Sequence, residues 1–160
     1  MLKKAITTLA IVGLVSVARA YPEEDKVTEL EQWTDLSFGL YSGYVPIEGT
    51  KKKLHYMAAL SKNDPKNSPN IIWFNGGPGC SSMLGLLQEH GPYAWEDGAP
   101  GFTQNKYSWN NEANMFYIES PANVGFSVCP DLTECQWTDE NSAIDNKVAI
   151  LALLQKFPEL

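Results

Sequence analysis

The feature that most constrains the fold is a glycine-rich segment, residues 75–79, that directly follows a short apolar run, residues 71–74. The run shows no polar alternation, which predicts a strand buried on both faces of a sheet. Ser81 and Ser82 are good N-cap residues for a following helix, and Gly91-Pro92 predicts where that helix ends. The segment is therefore predicted to be a tight strand-to-helix turn.

A turn of this kind can bind an anion. Glycine accepts positive φ and lets a ligand approach the backbone amides closely. The start of the following helix adds the positive end of its dipole. A substrate carboxylate and the oxyanion of an acyl transfer would both suit such a loop. A purely structural turn is the alternative that these residues alone leave open.

The other predicted elements indicate an α/β fold. Aromatic-rich runs at 38–45 and 54–60 flank residues 48–50 and predict an antiparallel hairpin. Residues 114–118 predict a second buried strand, and Thr138 or Asp139 can cap a long helix. That helix has two expected apolar stripes, Ile144, Val148 and Leu151 on one and Ile150, Leu154 and Phe157 on the other. Alternating strands and helices predict a parallel sheet with helices on its faces.

The first twenty residues predict a secretory signal peptide, which leaves residues 21–160 as one domain. Lys3 and Lys4 precede an apolar run that ends before a small-x-small cleavage site at 18–20. The run is shorter than the roughly 20 residues needed to span a bilayer, so no stable membrane anchor is expected after cleavage. We expect the secretory pathway, either lysosome or vacuole or the extracellular space.

The charge of the chain limits the classes of partner to expect, and its cysteines indicate which disulfides it can form. The net charge is −7, and removal of residues 1–20 would leave 9 basic and 19 acidic residues, so nucleic acid is not an expected partner. Cys129 and Cys135 lie six apart and predict a local disulfide, with two separate long-range bridges as the rival. An odd count of cysteines suggests that Cys80 pairs with a cysteine further along a longer chain.

Several blocks of this sequence closely resemble the serine carboxypeptidase family. The resemblance runs from about residue 38 to the end, and Asn123 stands where the family usually has glycine. The blocks that carry it are residues 73–82, 85–92, 107–110, 113–115 and 118–127. It implies an α/β-hydrolase fold, a serine-type mechanism and peptide or protein substrates with a free C-terminus.

The resemblance also assigns roles around the glycine-rich segment. Gly77 would donate its backbone amide to the oxyanion. The side chain of Asn75 and the backbone of Gly76 would bind the free C-terminal carboxylate of a peptide. Glu89 would share a proton with a second glutamate beside the nucleophile, which implies a preference for acidic pH. Trp73 would pack beneath the loop and shape it.

The catalytic serine, aspartate and histidine of the family are not found in this sequence. No Gly-x-Ser-x-Gly pentapeptide occurs, and Ser127 is interpreted as a turn residue. Ser81 and Ser82 are interpreted as caps. His55 and His90 have no serine and acid at triad spacing, so both are expected to be structural. Neither a metal site nor a cofactor is predicted.

The order of elements suggests why the triad is missing. In an α/β-hydrolase the helix after the fourth strand leads to the fifth strand and the nucleophile, so we expect the nucleophile shortly beyond Leu160. We expect a truncated, inactive portion of an enzyme that releases C-terminal amino acids at acidic pH. The alternatives are a secreted, non-catalytic peptide-binding remnant and an acyltransferase of the same family.

Overall fold

The computed structural model describes residues 21–160, and the predicted signal peptide lies outside them. Within these residues no helix is both long and apolar enough to cross a membrane. The described strands are β1 (Leu40–Pro46), β2 (Lys53–Ala59), β3 (Asn70–Trp73), β4 (Tyr93–Ala94), β5 (Thr103–Gln104) and β6 (Asn114–Ile118). The helical segments are 3-10 turns at Glu23–Asp25 and Trp109–Asn111, a π-helix at Gly85–Glu89 and the long helix α1 (Asp139–Lys156).

Four of the strands form one mixed sheet in the order β1-β2-β6-β3. β1 and β2 are the predicted hairpin, with Leu40 opposite Ala59. β2 also pairs antiparallel with β6. β3 pairs with β6 in parallel, with Ile72 opposite Phe116, so the two predicted apolar strands are neighbours. The carboxyl ends of β3 and β6 consequently lie side by side at the same end of the sheet.

The two apolar strands differ in burial. Every residue of β6 is buried, as predicted. Every residue of β3 is partly exposed, so the expected burial on both faces is wrong for this strand. The physical reason is position, because β3 pairs on one side only among the described residues and lies at the edge of the sheet.

The sheet separates two hydrophobic cores. Phe116 and Ile118 of β6 belong to the core beneath α1, which also contains Leu153. Met115 and Tyr117, the alternate residues of the same strand, belong to a core shared with the N-terminal arm and the π-helix. Because successive side chains of a strand point to opposite faces, β6 is covered on both sides.

Helix α1 begins with a capping box. Thr138 accepts a hydrogen bond from the Asn141 amide at 3.2 Å, and the Asn141 side chain accepts one from the Thr138 amide at 2.8 Å. The predicted cap at Thr138 is therefore confirmed. Two donors that would otherwise be left open in the first turn of the helix are satisfied in this way.

The face that α1 buries differs from the predicted stripes. The buried residues of the helix are Asp145, Ala149 and Leu153, spaced four apart. Ile144 and Leu151 are 57% and 52% exposed, so the first stripe is wrong, and of the second stripe only Phe157 is buried. The buried face combines the small apolar Ala149, which lies in the core with Leu153, and the ion pair at Asp145, so it is not a stripe of large apolar residues.

The cysteine prediction is confirmed in its local form. Cys129 and Cys135 form a disulfide that closes a short loop between β6 and α1, with the two Cα atoms 6.0 Å apart. The rival arrangement of two long-range bridges is wrong. Cys80 is exposed and has no disulfide partner among the described residues.

A buried ion pair joins the hairpin to α1. The ammonium of Lys52 contacts the carboxylate of Asp145, and the two side chains are only 8% and 6% exposed. The Lys52 ammonium also lies 5.6 Å from the centre of the Trp137 ring. Removing one partner would leave the other charge buried without compensation.

We expect Lys52→Met to lower the free energy of unfolding by about 3–5 kcal/mol, because Asp145 stays buried and unpaired. The double variant Lys52→Met/Asp145→Leu should recover most of that loss. Lys51→Met is the matched control, since the Lys51–Asp131 pair is largely exposed and should cost under about 1 kcal/mol. Urea denaturation measures all three, and equal losses for Lys51 and Lys52 would contradict the assignment.

Candidate functional site

The glycine-rich segment forms an exposed loop at the carboxyl end of β3. Gly77 and Gly79 have φ values of +135° and +103°, as the sequence predicts for a turn that only glycine adopts easily. A Cβ on Gly77 would lie 3.2 Å from the backbone nitrogen of Cys80. The Cys80 amide in turn donates to the Gly76 carbonyl at 3.2 Å and closes the turn.

The two serines after the loop have different roles. Ser81 accepts a hydrogen bond from the Met83 amide at 3.1 Å, but the prediction that it caps the helix is wrong, because the helical segment has no side-chain cap hydrogen bond. Ser82 is not a cap, because its hydroxyl accepts from the Asn75 amide at 3.0 Å and donates to the Ile118 carbonyl at 2.6 Å. The buried Ser82 therefore ties the start of the loop to the end of β6.

The helix after the loop is short and mostly π-helical rather than the regular α-helix that the apolar pattern suggests. It ends at Glu89, and its C-cap His90 comes just before the predicted stop at Gly91-Pro92. Gly85, its first residue, leaves room for Trp73, because a Cβ at that position would lie 2.5 Å from the indole nitrogen. The helix start and the strand end are therefore packed directly against each other.

The side chain of Asn75 is oriented by its neighbours. Its Oδ1 accepts hydrogen bonds from the Trp73 indole at 2.7 Å and from the Gly85 amide at 3.2 Å. Its Nδ2 therefore points the other way and donates to Glu89 Oε1 at 3.1 Å. An amide nitrogen carries two hydrogens, so one further donor of Asn75 remains for a ligand.

Trp73 lies beneath the loop, as predicted, and aromatic rings hold it there. The His90 ring meets it edge to face at 4.3 Å, and the Trp109 ring lies 5.8 Å away. His90 is buried, and its Nδ1 is hydrogen-bonded to the Tyr117 hydroxyl at 3.1 Å. Burial lowers the pKa of His90, although the nearby Glu89 partly opposes this. Burial therefore disfavours the charged form of the His90 ring, which packs against Trp73.

A buried carboxylate that the sequence analysis did not select lies behind the loop. Glu119 directly follows β6 and is fully buried. Its Oε2 accepts hydrogen bonds from His55 Nδ1 at 3.0 Å and from the Phe126 amide at 2.7 Å, and its Oε1 accepts from the Ser81 hydroxyl. Burial alone would raise its pKa, but these hydrogen bonds outweigh burial and lower the pKa.

His55 is the second residue of this buried network. Its Nε2 lies 3.0 Å from the Ser42 hydroxyl, while its Nδ1 faces Glu119. His55 has no serine and acid at triad spacing along the chain, but Ser42 and Glu119 lie beside it in space. The hairpin brings Ser42 to His55, and the β2–β6 pairing brings Glu119. One signal was visible in the sequence, namely an acidic residue immediately after the apolar residues 115–118.

A cavity of about 490 Å³ opens beside the loop. Its walls are the loop itself, the turn after β6 and the first residues of α1. The lining includes Asn75, Gly76, Gly77, Asn123 and Thr138. Asn123 has a φ of +74°, which asparagine tolerates better than most residues, so its place in a glycine position is sterically accommodated. The candidate carboxylate and oxyanion donors thus border open space.

Comparison with known proteins agrees with this geometry. The family model described as serine carboxypeptidase matches residues 30–160. The lysosomal protective protein of Mus musculus is 42% identical over 97% of this chain and 33% of its own length. The serine carboxypeptidase ctsa-4.1 of Caenorhabditis elegans is 40% identical over 92% of this chain and 31% of its own. The chain thus spans about a third of these relatives.

The fold of this chain also resembles the solved structure of a carboxypeptidase. The crystal structure of Kex1(delta)p, a prohormone-processing carboxypeptidase from Saccharomyces cerevisiae, superposes with a TM-score of 0.71 and 26% sequence identity. The match covers 87% of this chain and 34% of that one. The sheet, the loop and α1 therefore belong to an arrangement that recurs within a larger protein.

The lowered pKa of Glu119 predicts a pH-dependent stability. Because folding depresses the pKa, the carboxylate stabilises the fold above the ordinary value of 4.5, and this contribution is lost as the pH falls through the depressed value. Glu119→Gln should cost about 2 kcal/mol at pH 7, and its difference from the wild type should shrink below pH 4.5. The exposed Glu112→Gln is the control, and urea denaturation across pH is the measurement. A pH-independent difference would contradict the role of the charge.

Proposed function

The chain belongs to the serine carboxypeptidase family, and we propose that its loop after β3 is the part of the active site that binds a peptide C-terminus and supports the oxyanion. Its fold is the α/β-hydrolase fold that the sequence resemblance implied. The wider function proposed is release of C-terminal amino acids from peptides by a serine-type mechanism. The secretory pathway is the proposed location.

Carboxylate binding is assigned to Asn75 and Gly76. The observation that carries this assignment is the orientation of the Asn75 amide, since Trp73 and Gly85 occupy its oxygen and leave its nitrogen as a donor. Gly76 is exposed, and apart from its two chain neighbours no residue has a heavy atom within 4 Å of where its Cβ would be. A carboxylate can therefore approach the Gly76 backbone and the Asn75 Nδ2 together. Hydrogen bonds to a charged oxygen are the stronger kind.

Glu89 is the proposed source of a preference for acidic pH. It lies at the exposed end of the π-helix and already accepts a hydrogen bond from Asn75. A peptide carboxylate bound at Asn75 would lie close to this second carboxylate, and like charges repel. A proton held between the two would turn repulsion into a hydrogen bond. Binding should consequently tighten as the pH falls.

Oxyanion support is assigned to the Gly77 amide. Gly77 follows the carboxylate-binding residues directly and lines the cavity. A donor that is fixed before the reaction begins stabilises developing charge without reorganising. Substrate recognition and oxyanion support would thus come from three consecutive residues of one rigid turn.

Cleavage is proposed to need residues that this sequence does not contain. The Gly-x-Ser-x-Gly block that carries the nucleophile in α/β-hydrolases does not occur in the 160 residues. Ser42, His55 and Glu119 form a serine–imidazole–carboxylate chain, but Ser42 lies within the paired strand β1 and does not line the cavity beside Gly77. We therefore propose that the 160 residues of this chain recognise the substrate without cleaving it.

We expect the chain to distinguish a blocked dipeptide with a free C-terminus from the same dipeptide amidated. At pH 5 the amide should bind at least about tenfold more weakly, since about 1.4 kcal/mol corresponds to tenfold. Asn75→Ala should remove the preference, whereas Asn67→Ala, a change in an exposed loop, should preserve it. Nuclear magnetic resonance titration measures the binding. Equal affinity for both dipeptides would contradict the proposed carboxylate site.

We expect no hydrolysis of the same blocked dipeptide at pH 5 above the rate of buffer alone. The measurement is chromatographic detection of the released amino acid over several days. Turnover that survives Ser42→Ala would contradict the proposal outright. Turnover that Ser42→Ala abolishes would reassign the chemistry to the Ser42–His55–Glu119 chain.

A further inference from the structure

We propose that Glu119, acting through the Ser81 hydroxyl, is a positioning residue for the carboxylate loop. The inference rests on the proposed function of that loop. It concerns the buried side chain that fixes where the loop lies relative to the sheet. Glu119 does not line the cavity and has no assigned contact with a substrate.

Glu119 connects three separate segments of the chain. One oxygen accepts from His55 on β2 and from the amide of Phe126 in the turn after β6. The other oxygen accepts from Ser81 at the end of the glycine loop. All of these contacts are made by a side chain with no solvent exposure. The carboxylate is therefore a fixed point to which the sheet, the turn and the loop are all attached.

The turn after β6 is closely fitted around this carboxylate. A Cβ on Gly125 would overlap the Glu119 carboxylate, and Gly125 has a φ of +54°. The next residue, Phe126, donates its amide to the carboxylate and packs its ring against His55 at 5.2 Å. Glu119 can therefore move little, which is what a positioning role requires.

A carboxylate suits this position because both of its oxygens act as acceptors. None of the three partners needs a donor from residue 119. Glutamine has only one acceptor oxygen, so it could keep all three contacts only if its nitrogen faced Ser81 and the Ser81 hydroxyl turned to accept. Glu119→Gln would therefore remove the charge and reverse the hydrogen bond to Ser81.

Ser81 transmits this position to the loop. Its hydrogen goes to Glu119, and its oxygen accepts the Met83 amide at 3.1 Å. Residues 76–80, which carry the proposed donors, are all exposed. At one end the loop is held by Ser82 and Asn75, and at the other by Ser81. Ser81 thus adds a second buried attachment at this end of the loop, next to the hydrogen bond from Ser82 to the Ile118 carbonyl.

The test compares Ser81→Ala with Ser81→Thr, which keeps a hydroxyl. In Ser81→Ala the Cys80 amide, which closes the loop turn, should exchange with solvent about tenfold faster, because local openings expose it more often. The Ala58 amide in the sheet should exchange at the wild-type rate. Affinity for the free-carboxylate dipeptide should fall about tenfold. Ser81→Thr should restore both values, and the exposed Ser37→Ala should change neither.

A double-variant cycle separates the link to Glu119 from the hydrogen bond that Ser81 accepts from the Met83 amide. If the two residues act as one unit, Ser81→Ala/Glu119→Gln should accelerate Cys80 exchange no more than Ser81→Ala alone. If Glu119→Gln does not fold, the comparison of Ser81→Ala with Ser81→Thr still tests whether the hydroxyl at position 81 holds the loop. Wild-type exchange and affinity in Ser81→Ala, or additive effects in the double variant, would overturn the proposal.

Failure of this inference can be told apart from failure of the proposed function. If the wild-type chain binds free and amidated dipeptides equally, the proposed carboxylate site is wrong, and the exchange measurement still tests the positioning of the loop. If the wild type discriminates and Ser81→Ala discriminates equally well with unchanged exchange, only the positioning role is wrong.

Discussion

The parallel pairing of β3 with β6 is the interaction on which the site depends. Parallel strands end at the same edge of a sheet, so the loop after β3 and the turn after β6 are brought side by side. Ser82 joins the first to the Ile118 carbonyl, and Ser81 joins it to Glu119. If β6 ran antiparallel to β3, Glu119 would lie at the opposite end of the sheet. The exposed loop owes its fixed shape to this register.

Much of the fold follows from local signals in the sequence. The hairpin, the glycine turn and the Thr138 cap are each set by residues close together along the chain, and all are confirmed. The buried face of α1 was not predictable, because it depends on a distant ion pair between Lys52 and Asp145. The partial exposure of β3 depends on which strands flank it. Glu119 and His55 meet only through tertiary pairing, which spacing along the chain does not reveal.

The proposed anion site would be built from local dipoles within an acidic chain. The net charge of −7 would by itself disfavour binding of a carboxylate. Backbone amides of the loop and one oriented asparagine side chain would act at hydrogen-bond distance, where they would outweigh the average field of the surface. Glu119 adds a negative charge behind the loop, but His55 and two further donors face it. The carboxylate that a substrate would meet is the exposed Glu89, so the proposed pH dependence of binding is placed at that residue.

Asn75 and Gly76 are proposed to bind a peptide carboxylate together. The most direct test is a crystal structure of the chain grown at pH 5 with a blocked dipeptide that has a free C-terminus. We expect one carboxylate oxygen about 3 Å from Asn75 Nδ2 and from the Gly76 amide nitrogen, with the Trp73–Asn75 hydrogen bond unchanged. A dipeptide bound with its carboxylate elsewhere in the cavity, for example at the first turn of α1, would contradict it.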